Sequence, residues 1–241
     1  MGLCRKVSTA LVVICLSLLA MSPLNAATIP CVNGTYFNLL ATNAGGGCSI
    51  DDKLFTNFLF NGTSSGTPAP IPLTSSDVQV NTVNNGNSDI GFQFVFSLTA
   101  SPQQTNDILL QYTVSTLSGL PKITSEHLSE TGNFTTTGSA VVDETLCIGA
   151  AFSGGSCAGT TAALHTFSNS GGSKITDSIN FAAVSMVGVR KDINTSGGVS
   201  GFATISGVAN TSDQVPEPIT MLLMGTGLLF AGIFSRRSKK A

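Results

Sequence analysis

Polar and apolar residues alternate with a period of two along most of the chain. Phe92, Phe94 and Phe96 alternate with Gln93, Val95 and Ser97, which puts three rings on one face of a strand. Residues 107–117 follow the same rule, with Ile108, Leu110, Tyr112 and Val114 in phase. The spacing predicts further strands at 53–60, 77–83, 122–128, 132–137, 139–147, 162–167, 174–179, 182–190 and 198–208. Turn chemistry separates them: Asn84-Asn85-Gly86-Asn87, Gly154-Gly155, Ser170-Gly171-Gly172 and Ser196-Gly197-Gly198. Residues 101–106 are expected to turn between the first two strands named. No segment between residues 27 and 213 carries a convincing 3.6-residue stripe, and no internal repeat is found. The pattern predicts one all-β ectodomain over residues 27–213, an antiparallel β-sandwich or jelly roll.

The two ends break this pattern. Residues 1–26 read as a secretory signal peptide: Arg5 and Lys6 lead, residues 7–21 are apolar, and Leu24-Asn25-Ala26 offers a small residue at the cut. A lipoprotein cut would need small residues just before a cysteine. Cys15 follows Val13-Ile14 and Cys31 follows Ile29-Pro30, so that reading fails. At the other end residues 219–234 are uncharged. As a helix they would span ~24 Å, a little short of the hydrocarbon core of a bilayer. Arg236, Arg237, Lys239 and Lys240 follow and should stay on the cytoplasmic side. Before the apolar run, the prolines of Pro216-Glu217-Pro218 stiffen the chain, and residues 212–215 are expected to link body to tail. A plain anchor that is never cut is the alternative.

Pro216-Glu217-Pro218, the apolar segment 219–234 and Arg236-Arg237, in that order, resemble the PEP-CTERM sorting signal of bacterial exported proteins. The resemblance covers residues 215–241. It implies exosortase, a membrane cysteine protease, as the processing partner. Pro216, Glu217 and Pro218 would be its recognition site, residues 219–234 a single transmembrane helix, and Arg236 and Arg237 the stop to transfer. It also implies an inner-membrane-anchored intermediate, then the cell surface or medium, and links such proteins with extracellular polysaccharide and biofilm. Gly46-Gly47-Cys48-Ser49-Ile50-Asp51-Asp52-Lys53-Leu54-Phe55-Thr56-Asn57-Phe58 resembles a segment near the mature N-terminus of one group of PEP-CTERM proteins with no assigned enzymatic activity.

Composition sharpens the picture in three places. Of the eleven Lys and Arg, two lie in the signal peptide and four in the tail, leaving five against thirteen acidic residues, so the exported body carries 5 − 13 = −8 with Glu217 counted. That balance argues against nucleic acid as a partner. Removal of Cys4 and Cys15 leaves four cysteines, Cys31, Cys48, Cys147 and Cys157, which in an oxidising compartment read as disulfides. Three pairings are open; the local ones, Cys31–Cys48 and Cys147–Cys157, are favoured because each brackets a Gly-rich loop. Trp, a common sugar-stacking platform, is absent.

Candidate chemistry is sparse. Asp51 and Asp52 lack the calcium-loop pattern, and Asp143 and Glu144 are neighbours that a strand points to opposite faces. His127 and His165 stand alone without a Gly-x-Ser-x-Gly elbow. Asn33, Asn61, Asn133, Asn194 and Asn210 open Asn-x-Ser/Thr acceptors. We therefore expect no catalytic, cofactor-binding or metal-binding residues, and a non-enzymatic surface or matrix protein. The alternatives are a carbohydrate-binding module, for which Tyr36, Tyr112 and the phenylalanines are the available rings, and a secreted hydrolase with a dispersed site.

Overall fold

A computed structural model of the chain describes residues 29–86, 89–117, 120 and 122–214. The expected signal peptide (1–26), the expected transmembrane helix (219–234) and the expected sorting residues Pro216, Glu217, Pro218, Arg236 and Arg237 lie outside them. In chain order the elements are β1 (Gly34–Thr35), α1 (Tyr36–Thr42), β2 (Cys48–Ile50), β3 (Lys53–Gly66), β4 (Gln79–Asn84), β5 (Ile90–Ala100), β6 (Gln104–Thr116) and β7 (Ile123–Thr135). Then follow β8 (Ser139–Ile148), β9 (Phe152–Ser153), β10 (Ser156–Cys157), β11 (Thr160–Asn169), β12 (Gly172–Lys174), β13 (Thr176–Val184), β14 (Met186–Ser196) and β15 (Phe202–Gln214).

Two sheets hold nearly all of this. One has seven strands in the order β12-β11-β8-β14-β6-β3-β2; the other has six, β1-β4-β5-β15-β7-β13. All pairings in both are antiparallel. The alternation in the sequence sets their faces. Phe92, Phe94, Phe96 and Leu98 of β5 turn inward, and Ile108, Leu110, Tyr112 and Val114 of β6 meet them from the other sheet. Phe92 and Tyr112 pack edge to face at 5.7 Å, and Phe55 of β3 joins Phe92 at 4.6 Å. Such ring pairs add to the burial of their area, the main force holding the two layers together.

The structure corrects several boundaries. Residues 122–128 and 132–137 are one strand, β7; Gly132 sits inside it, where a Cβ would meet the Glu130 carboxylate at 3.1 Å. The strand expected at 182–190 is divided at Ser185 between the end of β13 and the start of β14. β6 begins at Gln104, so the turn before it is shorter than 101–106. Residues 212–214 are not a link but the end of β15. α1 is a helix that the periodicity missed. At seven residues it is too short for a stripe, and it buries only Tyr36 and Leu39.

Both local disulfides form: Cys31–Cys48 and Cys147–Cys157. Gly47, just before Cys48, has φ 98°, and a Cβ there would lie 2.1 Å from the Phe55 carbonyl oxygen. Only glycine fits that close approach.

Candidate functional site

The described residues end at Gln214, just before the segment expected to carry the sorting signal. β15 runs to Gln214, whose Oε1 accepts from Lys53 Nζ. Lys53 is fully buried and also pairs with Asp52 at 2.7 Å. Burial pushes the Lys53 amine down and Asp52 pulls it back. The strand is thus tied to β3 at the last residue before Val215 and the Pro216 motif. Asp52, considered above for calcium, is occupied by this pair.

The second feature is a polar cluster between the sheets. Lys191 of β14 stands opposite Glu144 of β8, and the two form an ion pair within one sheet. From the facing sheet come Glu126 of β7 with Asn210 and Ser212 of β15. Asn210 Nδ2 donates to Glu144 Oε1 at 3.1 Å, to Glu126 Oε2 at 3.3 Å and to the His127 carbonyl at 2.9 Å. Tyr112 Oη donates to Asn210 Oδ1, and Ser212 Oγ donates to Glu126 Oε1 at 2.5 Å. Lys191 and Glu126 are 0% exposed, Glu144 1% and Asn210 2%. Burial pushes the Glu126 carboxyl up to about 8, against Ser212, Lys191 and Asn210. It pushes the Lys191 amine down to about 7, with Glu126 acting the other way. Two carboxyl groups share one amine, so the interior favours a protonated Glu126.

Sequence reasoning passed over this cluster, yet a signal was present. Lys191 is in phase with Val187, Val189 and Ile193, Glu144 with Val142 and Leu146, and Asn210 with Val208. A charged residue in phase with inward apolar neighbours is either buried or breaks the strand.

The outer faces hold the histidines. His127 Nε2 meets Asp213 at 2.9 Å and Ser125 Oγ at 3.4 Å. Both partners lie on one ring nitrogen, whereas a Ser-His-Asp relay needs the base held on one nitrogen and the nucleophile on the other. Asp89, His127 and Asp213 bring one ligand atom each within 4.8 Å of one another. Asp213 is already engaged by His127 and by the Asp89 N–H at 2.9 Å. Burial alone would raise the Asp213 carboxyl, but these donors hold it below its ordinary range. His165 Nδ1 lies 2.6 Å from Asp143, on the outside of the other sheet. There Asp143, Asp192, Arg190 and Cys157 line an open groove of about 280 Å³. Partial burial, then Asp107 and Asp143, push the Asp192 carboxyl up to about 6.

Tyr36 and Tyr112 are core residues, so neither offers a sugar platform. Phe134 and Phe202 do line a groove of about 210 Å³ on β7 and β15, with Asn133, Thr99 and Thr204 beside them. Of the Asn-x-Ser/Thr acceptors, Asn33, Asn61 and Asn133 are exposed, Asn194 is half-buried, and Asn210 is buried.

The described fold is an antiparallel β-sandwich whose last described strand, β15, ends at Gln214. The sorting system is given by the terminus itself: a family model described as the PEP-CTERM protein-sorting motif matches residues 214–240. The chain carries that motif and is an exported protein of the exosortase-sorted kind. No curated protein matches the chain. Among solved structures, it is similar to the TmCBM61 module in complex with β-1,4-galactotriose (12% identity, TM-score 0.30, 63% of this chain and 88% of that one). It is also similar to the mannan-recognising module TmCBM27 (10% identity, TM-score 0.27, 79% and 100%). A third is a native family 12 xyloglucanase from Bacillus licheniformis (12% identity, TM-score 0.25, 77% and 99%). Likenesses this weak carry no argument about ligand or activity.

Proposed function

We propose that this chain is a non-enzymatic surface or extracellular-matrix protein. Residues 219–234 hold it in the inner membrane, exosortase cuts it at Pro216-Glu217-Pro218, and the ectodomain then works among extracellular polysaccharide. The observation that carries the reading is the sorting motif at 214–240, set immediately after a strand that is tied down to its last residue. A weakly charged surface rich in hydroxyl and amide groups suits contact with hydrated polymer through hydrogen bonds. The test is the intact mass of the protein from membrane and from medium, for wild type and for a variant with alanine at 216, 217 and 218. We expect wild type outside the membrane ending near the motif, and the variant full-length in the membrane. Equal release of both would overturn the reading.

A second reading is favoured by one observation, the Phe134–Phe202 groove. Two rings flanked by an amide and the hydroxyls of Thr99, Thr135 and Thr204 are the elements of a sugar subsite. If the ectodomain binds polysaccharide there, Phe202→Ala should abolish its retention on an insoluble β-glucan or galactan. Retention equal to wild type would remove this groove from consideration.

A further inference from the structure

The interior cluster places three reactive groups together away from water. Lys191 Nζ pairs with Glu144 Oε2, and Asn210 Nδ2 rests on Glu144 Oε1 at 3.1 Å, so one carboxylate spans an amine and an amide. Lys191 Nζ has no hydrogen-bond acceptor besides its Glu144 partner among the described residues. The amide oxygen of Asn210 is held by the Tyr112 hydroxyl, and its nitrogen also touches Glu126 Oε2 at 3.3 Å. An amine desolvated in an apolar site is an activated nucleophile. A carboxylate in reach of both nitrogens is placed to take a proton from one and give it to the other. A donor on the carbonyl oxygen is placed where negative charge would develop.

We propose that Lys191 Nζ and Asn210 Cγ become joined by an intramolecular amide bond, formed within the folded sandwich with Glu144 as its acid–base group. Glu144 takes a proton from the Lys191 ammonium. The freed lone pair attacks Asn210 Cγ, and the charge gathering on Oδ1 is held by Tyr112. Glu144 passes the proton to Nδ2, the Cγ–Nδ2 bond breaks, and ammonia leaves with the second proton released from Nζ. One N–C bond forms and one breaks, with no oxidant and no change in redox state. The low proton affinity of the buried Lys191 amine eases the first step. Asn210 is the better acceptor than Glu144 itself, because a carboxylate's charge repels the incoming lone pair. The bond would join β14 of one sheet to β15 of the other, across the core.

The test is mass spectrometry of the exported wild-type protein after reduction. We expect an intact mass lower by one ammonia. A succinimide at Asn33-Gly34, Asn61-Gly62 or Asn85-Gly86 would lose the same mass, so the decisive observation is a peptide. No Lys or Arg lies between residues 192 and 214, but chymotrypsin cuts after Phe202 and separates the two positions. Peptides bearing Lys191 and Asn210 should stay joined after that cut, and trypsin should fail to cleave after Lys191. In Lys191→Arg and Glu144→Gln the peptides should separate. Unlinked peptides in wild type overturn the proposal. So does a linked species lower by one water, which would place the bond on a carboxyl group, Glu144 or Glu126, and not on Asn210. The wild-type measurement stands by itself should either variant fail to fold.

Discussion

Among the described residues two lysines are fully buried, and they do different work. Lys191 sits mid-strand between the sheets, facing Glu144, with Glu126 and Asn210 on the far side. Lys53 sits at the first residue of β3, where its amine meets Asp52 and the side chain of Gln214. The same residue type with the same exposure is held at the core in one place and at the rim in the other. What separates them is the partner. The Asp52 side chain is 12% exposed, so water still reaches the rim pair, while the Glu144 side chain is at 0%. Depth is thus set by the anion, not by the lysine, and the cost of losing each lysine should follow the anion left behind.

The sharpest way to break that comparison is to remove each amine in turn. Lys191→Met leaves the Glu144 and Glu126 carboxyl groups in the interior without the partner that Lys191 gives them, and should cost about 3–5 kcal/mol. Urea unfolding of the exported ectodomain measures it, and the melting temperature should fall by roughly 2–4 °C per kcal/mol. Were Lys191→Met no worse than Lys53→Met, depth would not be the deciding factor.

The disulfides offer the next contrast. Cys31–Cys48 closes a separation of 17 residues beside the rim, and Cys147–Cys157 one of 10 residues on the outer side of β8. Replacing either pair with serine should cost about 3 kcal/mol, slightly more for the longer loop. Chemical denaturation of the two double variants tests the order.

The pH profile separates core from rim in a different way. Glu126 holds a proton up to about 8 when folded, against an ordinary 4.5, so the folded state keeps a proton that the unfolded state has released. Stability should therefore fall as pH rises from about 4.5 to 8, with a slope of at most about 1.4 kcal/mol per pH unit. A free Lys191 amine acts oppositely. Its folded value of about 7 lies below the ordinary 10.5, so the unfolded chain binds the extra proton and stability rises with pH across that window. An amide at Lys191 does not titrate, and the alkaline rise would be missing. Urea midpoints from pH 5 to 10 distinguish the two, and Glu126→Gln should flatten the acidic limb.

Much of this was legible in the chain. The faces of β5 and β6, both cysteine pairs and the terminal motif follow from period, loop chemistry and residue order. Asp143 and Glu144 do point to opposite faces, as their adjacency requires: Asp143 is exposed and Glu144 buried. The core cluster was not assembled, because its members come from β6, β7, β8, β14 and β15, and long-range register is not written in any one strand. The Phe134–Phe202 groove has the same origin, since Ala203 pairs with Phe134 only through the β15–β7 register. α1 escaped because a helix of two turns has too few positions to show a stripe.

The smallest effect returns to the rim. Lys53→Met leaves Asp52 able to turn toward water, so the global cost should be about 1 kcal/mol, the size of one hydrogen-bonded pair. Its consequence should be local. Gln214 loses its tie, and the last residues of β15, next to the Pro216 motif, should open more often. Hydrogen exchange at residues 212–214 should quicken while the amides of β14 stay protected. A protease that needs an extended substrate would then find the motif sooner, so release from the membrane in the native host should be faster than in wild type. Lys191→Arg, which keeps a cation in the core, should leave that rate unchanged. Faster release in both variants would mean that overall stability, and not the anchored end of β15, governs access to the cut.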